Sequence, residues 1–257
     1  MNAIIHCKND KIFELLTSYY MLLLKSDIYS DKSIDYVFDL ADLLNISNKY
    51  FENFIFDENT FPNGAYIRES RTILINLKKL MIAKDLKLID TETVIIEYLI
   101  TLLHEFNHAA QHEYCYNNDD EISSILFESF KLKKNSSFNV KNIFHNLYPD
   151  EFDSNLRSNL MIYNLLKKIR VNDKLLLQEK NLVRFLCSGV INDDFVINSH
   201  LKFLNKILLN RDYKEKFSEL NEIQRIYYGV TKGENTMKKI IKSYHIHRMC
   251  IDINERR

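Results

Sequence analysis

A chain of 257 residues with only four glycines and two prolines has little material for turns. Tight β-hairpins use glycine at positive φ, and phosphate-cradling loops need several glycines close together. The composition therefore argues against an all-β fold with many hairpins and against a Gly-rich nucleotide loop. It points to a mainly helical chain with a small sheet. Apolar residues make up 46% and charged residues 27%, a balance that suits a packed core, and the length suits one to two domains. Lys+Arg and Asp+Glu number 35 each, so the formal net charge is zero. A generic binder of nucleic acid or of an acidic membrane would be basic, so neither partner is expected.

Periodicity places the elements. Ile12, Leu15, Leu16, Tyr19 and Leu23 recur at three- and four-residue spacing and predict a helix, with a second from Ser33 to Leu44. Phe54-Ile55-Phe56 reads as a short strand, and Asp57 to Gly64 (DENTFPNG) as a loop. Ala65 to Arg68 and Arg71 to Leu77 follow as strands, the second with Ile73 and Ile75 on one face. A sheet of about three strands, antiparallel in part, is expected. From Asp90 or Thr91, either able to act as N-cap, a long helix runs to about Tyr116. Its apolar residues lie nearly all round, so it should be buried. Further helices are expected from Asp119 or Asp120 and from about Glu151 to Arg170, then several more to the end of the chain.

The buried helix carries His104-Glu105-Phe106-Asn107-His108. Residues four apart on a helix share one face, so two imidazoles can converge on one ion. Tetrahedral zinc accepts such nitrogens at about 2.0–2.1 Å. Glu105, one position on, stands beside the pair and can take a proton from a water on the zinc, whose pKa the metal lowers toward about 7. His112 continues the spacing but lies about 12 Å in rise from His104, and Ala109-Ala110-Gln111 contains no glycine to turn the chain back. It reads as a helix-end histidine rather than a ligand. A third ligand is sought in Pro149-Asp150-Glu151-Phe152-Asp153, where helical phase leaves Glu151 and Asp153 both open. Acids are also favoured at a helix start without any metal.

Taken together, Gly64-Ala65-Tyr66, Arg71 to Leu77 (RTILINL), HEFNHAAQH and YPDEFDSN resemble the gluzincin branch of zinc metallopeptidases. More narrowly, they resemble small bacterial and phage-type proteins with an HExxHxxQ helix and a later Pro-x-Glu segment. The resemblance covers roughly residues 64–155. It implies a zincin-like α+β fold, mostly α, with a small twisted sheet packed on the HExxH helix; outside the resemblance, the helical pattern of the C-terminal residues predicts an additional helical lobe. The resemblance implies His104, His108 and Glu151 as ligands of Zn2+ and Glu105 as general base. Ser154 stands where the pattern often has alanine. It also implies that Thr72 to Leu77 is the edge strand that aligns an extended peptide. His145, Tyr148 and Tyr163 are candidate donors to a developing oxyanion, although packing explains each of them as well.

The domain reading is an N-terminal helical segment over 1–50, a metallopeptidase core over 51–170 and a C-terminal helical lobe over 171–257. No signal peptide and no spanning segment is visible, and Cys7, Cys115, Cys187 and Cys250 form no C-x-x-C. A reduced, cytoplasmic protein is expected. His245-Ile246-His247 reads as a surface feature, Asp119-Asp120 and Asp193-Asp194 as loop acids, and Lys133-Lys134 and Lys238-Lys239 as solvated faces. The functional expectation is hydrolysis of peptide bonds in a peptide or protein. Two alternatives are a binding or regulatory protein that retains the zinc site without catalysis, and a hydrolase acting on something other than peptide.

Overall fold

The computed structural model describes residues 10–59, 63–119, 123–124, 126–127, 129–131 and 149–169. Helix α1 spans Asp10–Leu23 and α2 spans Asp31–Leu43. The sequence starts the second helix two residues later than the fold does. Ser30 is the reason: its side chain accepts from Ser33 N at 3.3 Å, fixing the N-terminus there. The end of α2 shows how a glycine-poor chain turns. Asn45 adopts φ 55°, and Ile46 N donates back to Ala41 O at 3.1 Å. This is the left-handed helix stop that glycine usually supplies.

Three short strands follow: β1 Asn53–Phe56, β2 Gly64–Ile67 and β3 Thr72–Ile75. The sheet order is β1-β3-β2, with β1 parallel and β2 antiparallel to β3. This corrects one expectation, because the strand beginning at Thr72 is central rather than an edge. Burial explains it. Ile73 and Ile75 are fully buried and Thr72 nearly so, whereas β1 and β2 are half-exposed along their length. The most apolar strand takes the middle. Arg71, at φ 52°, makes the turn from β2 into β3, and its guanidinium pairs with Glu52.

Helix α3, Lys78–Asp85, is absent from the sequence reading. Its apolar residues form no buried stripe and none of its residues is fully buried, so periodicity gives it little signal. The Asn76 side chain starts it by accepting from Lys78 N at 2.9 Å. Lys87 ends it at φ 58°.

Helix α4, Thr91–Asn117, is the expected long helix. Asp90 caps it, accepting from Thr93 N at 2.7 Å. Ile95, Tyr98, Leu99, Leu102, Leu103, Phe106 and Ala109 are fully buried, and β2 and β3 pack on this helix. Helix α1 is tied to it by polar contacts: Tyr19 Oη, buried, lies 2.6 Å from Tyr98 Oη and 2.7 Å from Ser33 Oγ of α2, and Tyr20 donates to the half-buried Glu92. Burial raises the Tyr19 hydroxyl to about 12, so the group stays protonated and available to donate.

Residues 123–124, 126–127 and 129–131 are helical, within the span where a helix is expected after Asp119. Helix α5 runs over Pro149–Ile169, with Met161, Ile162, Leu165 and Leu166 fully buried. The chain divides into two compact units, Met1–Asn117 with Arg157–Leu182, and Asn118–Leu156 with Val183–Arg257. The expected C-terminal lobe over 171–257 lies outside the described residues, as do His145, Tyr148, Cys187, Asp193-Asp194 and the 245–247 pair. The architecture seen is mainly helical with one small mixed sheet. No helix among the described residues is long and apolar enough to cross a membrane.

Candidate metal centre

One face of α4 builds the centre of the site. His104 and His108 are half-buried, and helix spacing stacks them one turn apart. Their Nε2 atoms face each other at 3.0 Å, with ring centroids 4.7 Å apart and planes at 82°. Two nitrogens held about 2.0–2.1 Å from a tetrahedral ion would stand roughly 3.3–3.4 Å apart. The observed separation is close to that requirement.

The tautomers follow from the next turn. His108 Nδ1 lies 3.0 Å from Gln111 Oε1, an acceptor on a buried side chain. A proton on Nδ1 leaves Nε2 bare and directed at His104. Without a metal, the Nε2–H of His104 can fill the space between the rings, and a divalent ion would replace that proton. The sequence reading missed this role of Gln111. Its signal was the i, i+3 spacing from His108, which puts the two side chains on one face.

Glu151, in the first turn of α5, is buried. His104, His108 and Glu151 each offer one ligand atom, and these atoms lie within 4.8 Å of one another. Two imidazole nitrogens and one carboxylate oxygen form a donor set that suits zinc and leaves a fourth position for solvent. Asp153 is not part of this group. Asp150 is fully buried and accepts a hydrogen bond from Ser129.

Glu105 is 5% exposed and turns toward β2. The Cα of Gly64 passes so close to it that a Cβ there would lie 2.7 Å from Glu105 Oε1. Hydrogen bonding also gives the direction of the strand's main chain. Asn76 N donates to Asn63 O at 2.7 Å, so 63 and 76 form a bonded pair, as 65 and 74 then do. The intervening Gly64 and Tyr66 therefore direct their N–H and C=O away from β3. Among the described residues no strand lies beyond β2.

His112 has a different environment. Its Nδ1 lies 2.9 Å from Tyr66 Oη, and that hydroxyl donates to Tyr50 O at 2.6 Å. With its proton committed to Tyr50, the Tyr66 oxygen must accept, so His112 carries its proton on Nδ1. The rings of Tyr50 and Tyr116 meet it edge-on at 5.2 and 5.0 Å. Burial, helped by Arg68, lowers the imidazole to about 4, so it is neutral near pH 7. His112 fastens β2 to α4 and is not among the grouped ligand atoms. Tyr163, one of the expected oxyanion donors, is a buried residue of α5. Comparison with protein-family models, with curated proteins and with solved structures gives no match.

Proposed function

We propose that this chain is a zinc-dependent peptidase of gluzincin type, with His104, His108 and Glu151 as ligands and Glu105 as general base. The observation that carries the reading is the facing pair of Nε2 atoms, 3.0 Å apart, one residue from a buried carboxylate. A purely structural zinc site has no use for a base beside it, which favours catalysis over the binding-protein alternative.

Zinc, when bound, would supply a Lewis acid that acidifies water and polarises a carbonyl. The protein's part is positional. Gln111 orients the His108 ring through Nδ1. Glu105 accepts the proton of the attacking water and passes it to the departing amine. Peptide is favoured as substrate because, among the described residues, no strand covers the outer edge of β2 beside Glu105. The main-chain groups of Gly64 and Tyr66 along that edge can pair with an extended chain. The aligning role assigned from sequence to the strand at Thr72 thus moves to β2.

The test is metal analysis paired with turnover of a fluorogenic peptide mixture. Glu105→Gln should retain zinc and lose turnover by about two orders of magnitude or more. His108→Ala should lose the metal. Activity persisting in a metal-free His108→Ala preparation would contradict the mechanism.

A further inference from the structure

We infer that Gly64 is a positioning residue for Glu105, its missing side chain reserving the space that the Glu105 carboxylate occupies. This rests on the reading of Glu105 as the base. Gly64 opens β2 without positive φ, so its backbone conformation is open to any residue. Space, not torsion, demands glycine here. A Cβ would meet Thr101 Cγ2 at 2.6 Å, Glu105 Oε1 at 2.7 Å and Glu105 Cγ at 3.0 Å, whereas ordinary contact begins near 3.4 Å.

The surroundings decide which atom would yield. Thr101 is β-branched, and its hydroxyl donates to Glu97 O at 2.8 Å, which fixes the rotamer and hence Cγ2. Strand β2 is held on one side by β3 and is fastened through Tyr66 to Tyr50 O and His112. The Glu105 carboxylate is the far end of a side chain with three rotatable bonds, and it is the softest of these neighbours. A methyl at 64 therefore strains the contact with Thr101, which does not yield by rotation, and displaces the Glu105 carboxylate, which does. The same residue directs its N–H and C=O away from β3. Gly64 thus joins the edge that would hold a substrate strand to the group that would take the proton.

The test compares wild type with Gly64→Ala by crystal structures grown with zinc and by turnover of a fluorogenic peptide mixture. The expected structure has the Glu105 carboxylate displaced, with the His104 and His108 rings and the zinc content unchanged. The expected kinetics are a kcat lower by roughly 10- to 100-fold with KM within about twofold, the scale of a misplacement of about 1 Å. Two double variants separate positioning from packing. Gly64→Ala with Thr101→Ser relieves the threonine clash and should keep the loss of kcat. Gly64→Ala with Glu105→Gln should be no slower than Glu105→Gln alone. The inference is overturned if the carboxylate stays while β2 retreats, or if Thr101→Ser restores kcat. Should wild type cleave no peptide, the peptidase reading fails by itself, and the position of the carboxylate in the two structures still decides the role of Gly64.

Discussion

Replacing Gln111 by leucine keeps the side-chain bulk and removes the acceptor that faces His108 Nδ1 at 3.0 Å. Gln111 is 4% exposed, so little water reaches the amide side of this bond, while the half-buried imidazole retains partial access to solvent. A buried donor left without an acceptor costs about 1–3 kcal/mol, and partial solvation of the ring places the expected value near 1–2 kcal/mol. At about 1.4 kcal/mol per tenfold, zinc affinity should fall roughly 5- to 30-fold, within reach of the usual cost of losing a metal ligand's supporting hydrogen bond. Gln111→Glu presents a charged acceptor at the same position, and charge-assisted bonds are roughly twice as strong, so affinity should hold or rise. The assay is competition for zinc with a chromophoric chelator near pH 7.5, with thermal unfolding of each metal-free protein as the control for folding. Zinc affinity within about twofold of wild type in Gln111→Leu would refute the reasoning. So would equal weakening in Gln111→Leu and Gln111→Glu, because then the acceptor's charge and presence would not matter.

The His112 imidazole, lowered by burial to about 4 against an ordinary value near 6.5, makes stability depend on pH. The unfolded chain takes up this proton first, so its contribution is complete above about pH 6.5 and is lost as pH falls toward 4. A fully buried ring would lose about 3 kcal/mol, and solvent screening of this half-exposed one reduces that to roughly 1–2 kcal/mol. Urea unfolding at pH 7.5 and 4.5 should show this loss in wild type and a smaller one in His112→Asn; an equal loss in both would count against it. In the Tyr19–Tyr98–Ser33 cluster, Tyr98→Phe should cost about 1 kcal/mol and Tyr19→Phe about twice that, because Tyr19 is the hydroxyl that touches both others. Urea unfolding reads both, and a larger cost for Tyr98→Phe would reverse the assignment of the central group.

The parts of the fold legible in sequence are those with a strong period or a capping residue. The α4 helix is visible because Val94 to Leu103 is apolar nearly all round and Asp90 stands ahead of it. The strand at Thr72 is visible through its alternating isoleucines, but its central place is not. Strand order depends on how β1 and β2 bury their faces, which is a tertiary property. Helix α3 is invisible because it is short and buries no face. In the candidate site, His104, Glu105 and His108 can be read directly, since one turn of helix dictates their neighbourhood. Periodicity leaves Glu151 and Asp153 equivalent, and the resemblance points to Glu151, the residue found grouped with the two histidines. The closeness of Gly64 to Glu105 leaves no trace in spacing, because it depends on how a strand crosses a helix more than thirty residues away in the chain.

Asn45, Arg71 and Lys87 take left-handed conformations with side chains in place, each at some cost relative to glycine. The chain recovers part of that cost before it folds. Every glycine it lacks is a residue whose unfolded form wanders over fewer backbone states, so less disorder is surrendered when the structure forms. The scarcity that makes these corners awkward also stiffens the denatured ensemble, and the same composition acts on both sides of the folding equilibrium.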